Sequence, residues 1–215
     1  MNAREILHQV ESTGVVAIIR ASGSGELIDV VAALRAGGVT CIEVTMTTPD
    51  ALEVIRQARK ACEPPAAIGV GSVLDPETAR AAILAGAQFV VSPITCPDTI
   101  ALCKRYSVPV MPGAMTPTEV VRAWQNGADI VKVFPTSSLG PAVIKDLKGP
   151  LPQIKLLPTG GVDLDTVGDF IKAGAVAVGV GGALVSAKAL RARDFESIRS
   201  TAAAFLERVS QARGN

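Results

Sequence analysis

The sequence is poor in histidine, the residue on which many enzymes depend. Its single histidine, His8, lies in an amphipathic pattern near the N-terminus that places it on the solvated face of a helix. A zinc site built on two or more histidines, such as HExxH, is therefore excluded. A Ser-His-Asp or Cys-His arrangement would have to use His8, which is far in sequence from any candidate nucleophile. Any catalysis must then use lysine, carboxylate, hydroxyl and backbone groups.

Paired cysteines, excess charge and long apolar runs are also missing. The four cysteines form no CxxC pair, and we expect free thiols in a reducing cytosol. The formal net charge is +1 and the basic residues are scattered, which leaves no electrostatic footprint for nucleic acid. No apolar run approaches the length of a membrane span, and the N-terminal segment lacks a signal-peptide core. We expect a cytoplasmic protein that binds neither nucleic acid nor membrane.

A short signal recurs along the 215 residues, of which 48% are hydrophobic. It consists of a helix end, then Ala-Gly or Asn-Gly, then a β-rich run. Glycine and asparagine are the residues that close a helix in the left-handed conformation. Successive signals are separated by about twice the length of one short βα unit, so intervening units lie between them and the chain contains eight βα repeats. The signal occurs at 35–39, 84–87, 125–128 and 172–175.

Apolar runs and helix-capping signals predict the elements of these repeats. The predicted strands are Val15–Arg20, Cys41–Met46, Ala67–Ser72, Phe89–Pro93, Val108–Pro112, Asp129–Phe134, Lys155–Thr159 and Val176–Val180. The predicted helices include Glu26–Ala36, Pro49–Ala61, Pro76–Ala85, Pro117–Gln125, Leu164–Ala173 and Phe195–Ala212. Capping signals are at Ser24, Asp75, Thr116 and Asp163. Strands that alternate with helices pair in parallel, which predicts a single α/β domain over 1–215: a (β/α)8 TIM barrel with an additional N-terminal helix. An open doubly wound sheet is the alternative.

Lys132 interrupts the apolar run Ile130–Pro135, which otherwise has the composition of a strand buried on both faces. Burial strips water from an ammonium group, which lowers its pKa and favours the neutral amine nucleophile. The alternative is a lysine on an exposed sheet edge.

Polar residues near the ends of the predicted strands mark the candidate site, because active sites of this fold gather where strands run into the βα loops. Strand parity predicts that Glu43 and Lys132 meet within the barrel if both face inward. They would then supply a nucleophile and a proton shuttle. The alternative for Glu43 is a structural salt bridge to Lys132 or Arg20, which would hold the lysine charged. The other polar strand-end residues are Arg20, Thr45, Thr47, Ser72, Ser92 and Thr159.

Glycine pairs follow the seventh and eighth predicted strands, at Gly160-Gly161 and Gly181-Gly182. Glycine-rich turns at these two places expose backbone N–H groups and form the usual phosphate cradle of the fold. One pair alone would be a weak signal, since glycines also satisfy tight turns. Two pairs in these positions favour phosphate binding. Backbone amides would make the contact in the eighth unit, because Ala183 offers no hydroxyl group.

Four segments of the sequence together resemble the motifs of the 2-keto-3-deoxy-6-phosphogluconate (KDPG) / 4-hydroxy-2-oxoglutarate (KHG) aldolase family. They are Ile42–Thr45, Gly69–Leu74, Val131–Pro135 and Leu157–Gly161, and the likeness covers nearly the whole chain in order. The resemblance implies a class I aldolase, a carbon–carbon lyase of the Entner–Doudoroff route that uses no metal and no cofactor and assembles as a homotrimer. The implied substrate is a phosphorylated keto acid, KDPG, cleaved to pyruvate and glyceraldehyde 3-phosphate, with KHG as a further substrate.

The resemblance also implies roles for individual residues. Lys132 matches the Schiff-base lysine and Glu43 the general acid/base. Ser72 matches a position that binds the pyruvyl carboxylate, and Thr159 matches the hydroxyl residue near the C4 substituent. The other residues assigned to substrate binding are Arg20, Thr47, Pro93, Phe134, Gly160, Gly161, Gly181 and Gly182.

Two positions depart from the family pattern. Many members carry an arginine for the substrate carboxylate at the position of Thr47, and our hypothesis is that Arg20 replaces it. Ala183 stands where a serine often helps to bind phosphate, which leaves the preference for phosphorylated over non-phosphorylated substrate open. Thr159 argues against the galactonate-specific relatives, which tend to have an apolar residue there.

Three other functions are alternatives. One is a metal-free phosphosugar isomerase or synthase barrel, in which Glu43 is the base and Lys132 is only an electrostatic group. Another is a non-catalytic barrel that binds a phosphorylated metabolite. An oxaloacetate decarboxylase activity would use the same imine on Lys132 as the aldolase.

Overall fold

Parallel strands and helices alternate along the computed structural model, which describes residues 1–20, 25–62 and 66–214. The strands are β1 (Val15–Ile19), β2 (Cys41–Thr45), β3 (Ala67–Gly71), β4 (Val90–Val91), β5 (Val110–Met111), β6 (Gly113–Ala114), β7 (Val131–Val133), β8 (Leu156–Pro158) and β9 (Val178–Val180). The helices are α1 (Ala3–Thr13), α2 (Gly25–Ala36), α3 (Ala51–Ala61), α4 (Pro76–Ala85), α5 (Pro97–Arg105), α6 (Pro117–Gln125), α7 (Ala142–Lys148), α8 (Val167–Lys172), α9 (Ala187–Ala192) and α10 (Phe195–Arg213). None of these helices is both long and apolar enough to cross a membrane.

The strands close into a ring. One sheet has the order β5-β4-β3-β2-β1-β9 and the other the order β6-β7-β8. A parallel bridge between Thr159 and Gly179 joins β8 to β9, and Pro112 alone separates β5 from β6. With β5 and β6 counted as one position, the ring has eight members. The predicted (β/α)8 barrel with an N-terminal helix is confirmed, and the open sheet is excluded.

The fifth predicted strand, Val108–Pro112, is observed as β5 only, and a second short strand, β6, follows Pro112 and was not predicted. Proline has no N–H to donate to a ladder, so it interrupts regular pairing. Its carbonyl still accepts a hydrogen bond from the Lys132 N–H at 2.9 Å. A Cβ on the next residue, Gly113, would lie 2.2 Å from the carbonyl oxygen of Pro93. Glycine therefore lets the neighbouring loop approach β6 closely.

The other predicted strands are correct in position but one or two residues too long at one or both ends. Two capping predictions are confirmed: Asp75 accepts a hydrogen bond from the Thr78 N–H at 2.6 Å, and Thr116 and Glu119 form a capping box. The prediction for Asp163 was wrong. Its carboxylate binds the N–H groups of residues 165 and 166 in a turn, and α8 begins only at Val167. The Ser24 signal lies outside the described residues.

The barrel interior forms its own apolar cluster, separate from the larger core between strands and helices. Ile6 and Val10 of α1 pack against this cluster from below. Lys155, also at the N-terminal end, pairs with Glu11 of α1 at 2.5 Å. Helix α1 therefore covers the N-terminal mouth, and the barrel is open at the C-terminal ends of its strands. The interior residues from the strands and their ends are Val16, Cys41, Ala67, Phe89, Val91, Met111, Ile130, Leu157 and Ala177.

Candidate active site

Lys132 and Glu43 lie inside the barrel, one layer above its apolar cluster. Each follows a residue of that cluster by two positions, Ile130 in one case and Cys41 in the other, so the period of a strand brings both side chains to the interior. Lys132 is 6% exposed and Glu43 is 2% exposed. Strand β7 pairs with a neighbour on each side. The alternative of an exposed edge lysine was therefore wrong.

Burial acts on the two groups in opposite directions. It raises the pKa of the Glu43 carboxyl, against the attraction of Lys132 and Arg20. It lowers the pKa of Lys132, opposed by Glu43 and reinforced by the positive charge of Arg20. Both shifts favour the neutral forms, an amine that can attack a carbonyl and an acid that can donate a proton.

Lys132 and Glu43 form no direct ion pair among the described residues. The Nζ atom of Lys132 lies instead 4.8 Å from the centroid of the Phe134 ring. A structural salt bridge, the alternative considered for Glu43, is therefore not formed within the described chain. The two groups interact through space across the barrel interior, which suits groups that act in turn on one substrate.

A cavity of about 490 Å³ opens at the C-terminal end of the barrel. It lies between the ends of β1, β7, β8 and β9, and its wall combines glycine turns with small apolar side chains such as Val185 and Leu190. Arg20 and Asp163 are the charged side chains of this wall within the described residues. The predicted substrate-binding residues that line it are Arg20, Phe134, Thr159, Gly160, Gly161, Gly181 and Gly182.

The hydroxyl of Thr159 lies in this wall without a hydrogen-bond partner among the described residues. Thr159 is 6% exposed, and a Cβ on Gly179 would come within 2.4 Å of its Oγ1. The hydroxyl therefore lies over a glycine of the adjacent strand. Buried hydroxyl groups are nearly always paired in folded proteins. The Thr159 hydroxyl is therefore a candidate contact for a polar group of a ligand.

Thr136 holds the first glycine turn, a role that sequence reasoning missed. Its side chain is fully buried. Its Oγ1 donates to the Gly160 carbonyl at 2.6 Å, and its N–H donates to the Thr159 carbonyl at 3.0 Å. Gly160 and Gly161 have φ values of 98° and 72°, which glycine adopts without strain. The signal available in the sequence was its position directly after the Val131–Pro135 motif.

Lys132 and Glu43 do not line this cavity, and neither do three other predicted residues. Thr47 is exposed, and its hydroxyl lies 2.9 Å from that of Thr45. Ser72 follows β3 with a left-handed φ of 60°. Pro93 lines a second cavity of about 460 Å³, which shares Phe134 with the first. The substrate contacts assigned to these three residues stay predictions. No cluster of three or more potential metal ligands occurs within the described ranges.

The family model for KDPG and KHG aldolases matches residues 6–201. The chain belongs to the KDPG and KHG aldolase family. A 2-dehydro-3-deoxy-phosphogluconate aldolase from Treponema pallidum is 34% identical over 194 residues, which cover 90% of this chain and 92% of the relative. The enzyme of the same name from Pseudomonas aeruginosa is 34% identical over 201 residues, or 93% and 90% of the two chains.

Solved structures agree with this membership. A structure described as native KDPGal matches with a TM-score of 0.87 at 31% identity, over 94% of this chain and 96% of that one. As a member of the KDPG and KHG aldolase family, the protein is an aldolase and hence a carbon–carbon lyase.

Proposed function

We propose that the protein is a class I aldolase that cleaves KDPG to pyruvate and glyceraldehyde 3-phosphate and also acts on KHG. The observation that carries the proposal is the buried Lys132, with its lowered pKa, inside the open end of the barrel together with Glu43. The relatives from Treponema pallidum and Pseudomonas aeruginosa are named for phosphogluconate-derived substrates, which supports the choice of KDPG.

In the first half-reaction, the neutral amine of Lys132 adds to the C2 ketone of the substrate. The resulting carbinolamine loses its hydroxyl group as water, with a proton supplied by Glu43, and a protonated imine forms. Burial supports both steps, because it favours the neutral amine and the protonated acid. The positively charged imine nitrogen then serves as an electron sink.

In the second half-reaction, the Glu43 carboxylate removes the C4 hydroxyl proton, directly or through a water molecule. The C3–C4 bond breaks, its electron pair forms an enamine with C2, and glyceraldehyde 3-phosphate leaves. The enamine is protonated at C3, and water hydrolyses the imine to release pyruvate and restore the amine of Lys132. One group with an elevated pKa can serve as acid and base in turn.

The proposed binding roles rest on the cavity wall for some residues and on the family resemblance alone for Thr47, Ser72 and Pro93. We assign the substrate carboxylate to Arg20 and Ser72, and the C4 hydroxyl region to Thr159, whose own hydroxyl lacks a protein partner among the described residues. Gly160, Gly161, Gly181 and Gly182 are assigned to the phosphate, and Thr47, Pro93 and Phe134 to further substrate contacts.

We also propose that residues 1–215 act as a single domain in a cytoplasmic homotrimer. The family resemblance supports the trimer, as do large apolar side chains at the surface such as Leu84 and Trp124, which are 67% and 44% exposed. Free thiols at all four cysteines, three of them buried, suit a reducing compartment. Light scattering after size-exclusion chromatography tests the assembly, and a monomeric mass would contradict it.

A coupled assay for pyruvate tests the proposed activity. It compares KDPG, its galactonate-derived counterpart and KHG as substrates of the purified protein. We expect the highest kcat/KM for KDPG, a loss of activity in Lys132→Arg, and a decrease of about 10²- to 10⁴-fold in kcat for Glu43→Gln. Pyruvate release at the wild-type rate by Lys132→Arg would show that this lysine acts only through its positive charge and would refute the proposal.

A further inference from the structure

We propose that Gly71 is a positioning residue that gives the Glu43 carboxyl its place in the active site, an inference that rests on the proposed aldolase function. A Cβ atom on Gly71 would lie 1.7 Å from Oε1 of Glu43, 2.3 Å from Cδ and 2.7 Å from Cγ. Non-bonded heavy atoms separate by roughly 3.5–4 Å at their best distance. Any side chain at position 71 would therefore occupy the space of this carboxyl.

The register of the sheet explains the contact. Glu43 on β2 stands opposite Gly69 on β3, and Thr45 stands opposite Gly71. The Glu43 side chain thus leans along the strand direction and crosses to the next strand, where its carboxyl lies over Gly71. The space nearer to Glu43 is filled, because a Cβ on Gly69 would lie 2.3 Å from the Phe89 ring. The two glycines of β3 accommodate an aromatic ring and a carboxyl group from neighbouring strands.

Space, and not backbone conformation, accounts for glycine at position 71. Nine glycines of the described chain have left-handed φ values, but Gly71 is not one of them. The left-handed turn after β3 is made by Ser72, with a φ of 60°. An alanine at position 71 would therefore meet no backbone strain, and the contact with Glu43 is what excludes it.

The Glu43 carboxyl is positioned by steric fit, because it makes no polar contact with the described residues. Among the described residues, no hydrogen bond or direct ion pair holds its carboxyl, although Glu43 is only 2% exposed. The walls around it must then determine where its oxygens lie. A displacement of about 1 Å in a reacting group can lower a rate by 10²-fold. We expect Gly71→Ala to decrease kcat about 100-fold with a smaller change in KM.

A double-mutant cycle of Gly71→Ala and Glu43→Ala tests the inference through kcat and the thermal unfolding midpoint. In the presence of Glu43, Gly71→Ala should lower both. In the Glu43→Ala background, where the carboxyl is gone, it should change kcat by less than about twofold and leave the midpoint unaltered. The matched control is Gly69→Ala, whose methyl meets Phe89. Its effect on the midpoint should be the same with and without Glu43.

Each outcome of the cycle decides the matter. Equal damage by Gly71→Ala in both backgrounds would show a general structural role and overturn the inference, as would wild-type kcat and pH profile in Gly71→Ala alone. If Gly71→Ala does not fold, a folded double variant supports the inference and an unfolded one refutes it. A wild-type protein that releases no pyruvate would refute the proposed function, while the midpoints of the cycle would still report whether the side chains at 43 and 71 compete for space.

Discussion

Replacement of Thr159 by valine should make the ligand-free protein more stable and lower its kcat/KM for KDPG. The Thr159 hydroxyl is buried without a partner among the described residues, and valine has nearly the same shape without the hydroxyl. A buried hydroxyl group without a hydrogen bond lowers stability by about 1–3 kcal/mol. The substitution should therefore raise the unfolding free energy by about 1 kcal/mol, and for a chain of this size the unfolding midpoint should rise by about 2–4 °C.

The same substitution should weaken catalysis by a comparable free energy. If the hydroxyl contacts a polar group of the substrate, valine leaves that group desolvated and unpaired in the complex. The loss of about 1–3 kcal/mol corresponds to a decrease of roughly 5- to 150-fold in kcat/KM for KDPG. Calorimetric unfolding of the ligand-free protein and the coupled pyruvate assay measure the two effects separately.

Thr136→Val is the matched control for this experiment. Its hydroxyl is equally buried, but it donates to the Gly160 carbonyl at 2.6 Å. Its removal leaves that carbonyl without this donor, so the midpoint should fall by several degrees where that of Thr159→Val rises. A lower midpoint in Thr159→Val together with an unchanged kcat/KM would refute the reasoning, because the hydroxyl would then have a partner in the protein and none in the substrate.

Two further predictions concern the charges of the cavity wall. Arg20 lowers the pKa of Lys132, so Arg20→Ala should raise that pKa. At saturating pyruvate, its pH profile of imine formation should move toward alkaline pH, whereas Arg20→Lys should keep the wild-type profile. An unshifted profile of trapping rate against pH in Arg20→Ala would contradict this. Asp163→Asn removes a negative charge from the wall, which should lower KM for KDPG about two- to fivefold and KM for KHG by less, because its second carboxylate carries less charge than a phosphate. Equal changes in both KM values would show that phosphate charge is not involved.

The inward position of both Lys132 and Glu43 was predictable from sequence because strand periodicity is strict. A residue two positions from an inward-facing neighbour must also face inward. The inward positions of Lys132 and Glu43 could therefore be predicted once the strands were assigned correctly and the sheet was taken to close into a ring. The glycine pairs after the last two strands were predictable for a similar reason, since their place in the repeat assigns them to one end of the barrel.

The role of Gly71 could not be read in this way. A glycine at the end of a strand is explained equally well by a tight turn. Only the register between β2 and β3 and the direction of the Glu43 side chain show that the glycine provides space. Register is a property of two segments together, and neither segment alone contains it. The alternation of Gly69 and Gly71 on one face of a strand was the signal available.

Asp163 shows a second limit of sequence reasoning. An aspartate that caps a helix and one that closes a turn use the same oxygen and the same backbone N–H groups. The segment after Gly161 satisfied both patterns, and the structure places the turn first and the helix at Val167. Asp163 is therefore not a helix cap and lies in the wall of the cavity.

The most direct test of the account is covalent capture on Lys132. The protein is incubated with pyruvate and borohydride, digested and analysed by mass spectrometry. We predict a stable pyruvate-derived adduct on the peptide that contains residue 132, loss of activity in proportion to labelling, and no such adduct in Lys132→Arg. An adduct confined to another lysine, or an active enzyme that forms none, would contradict the claim that a buried amine at this position performs the chemistry.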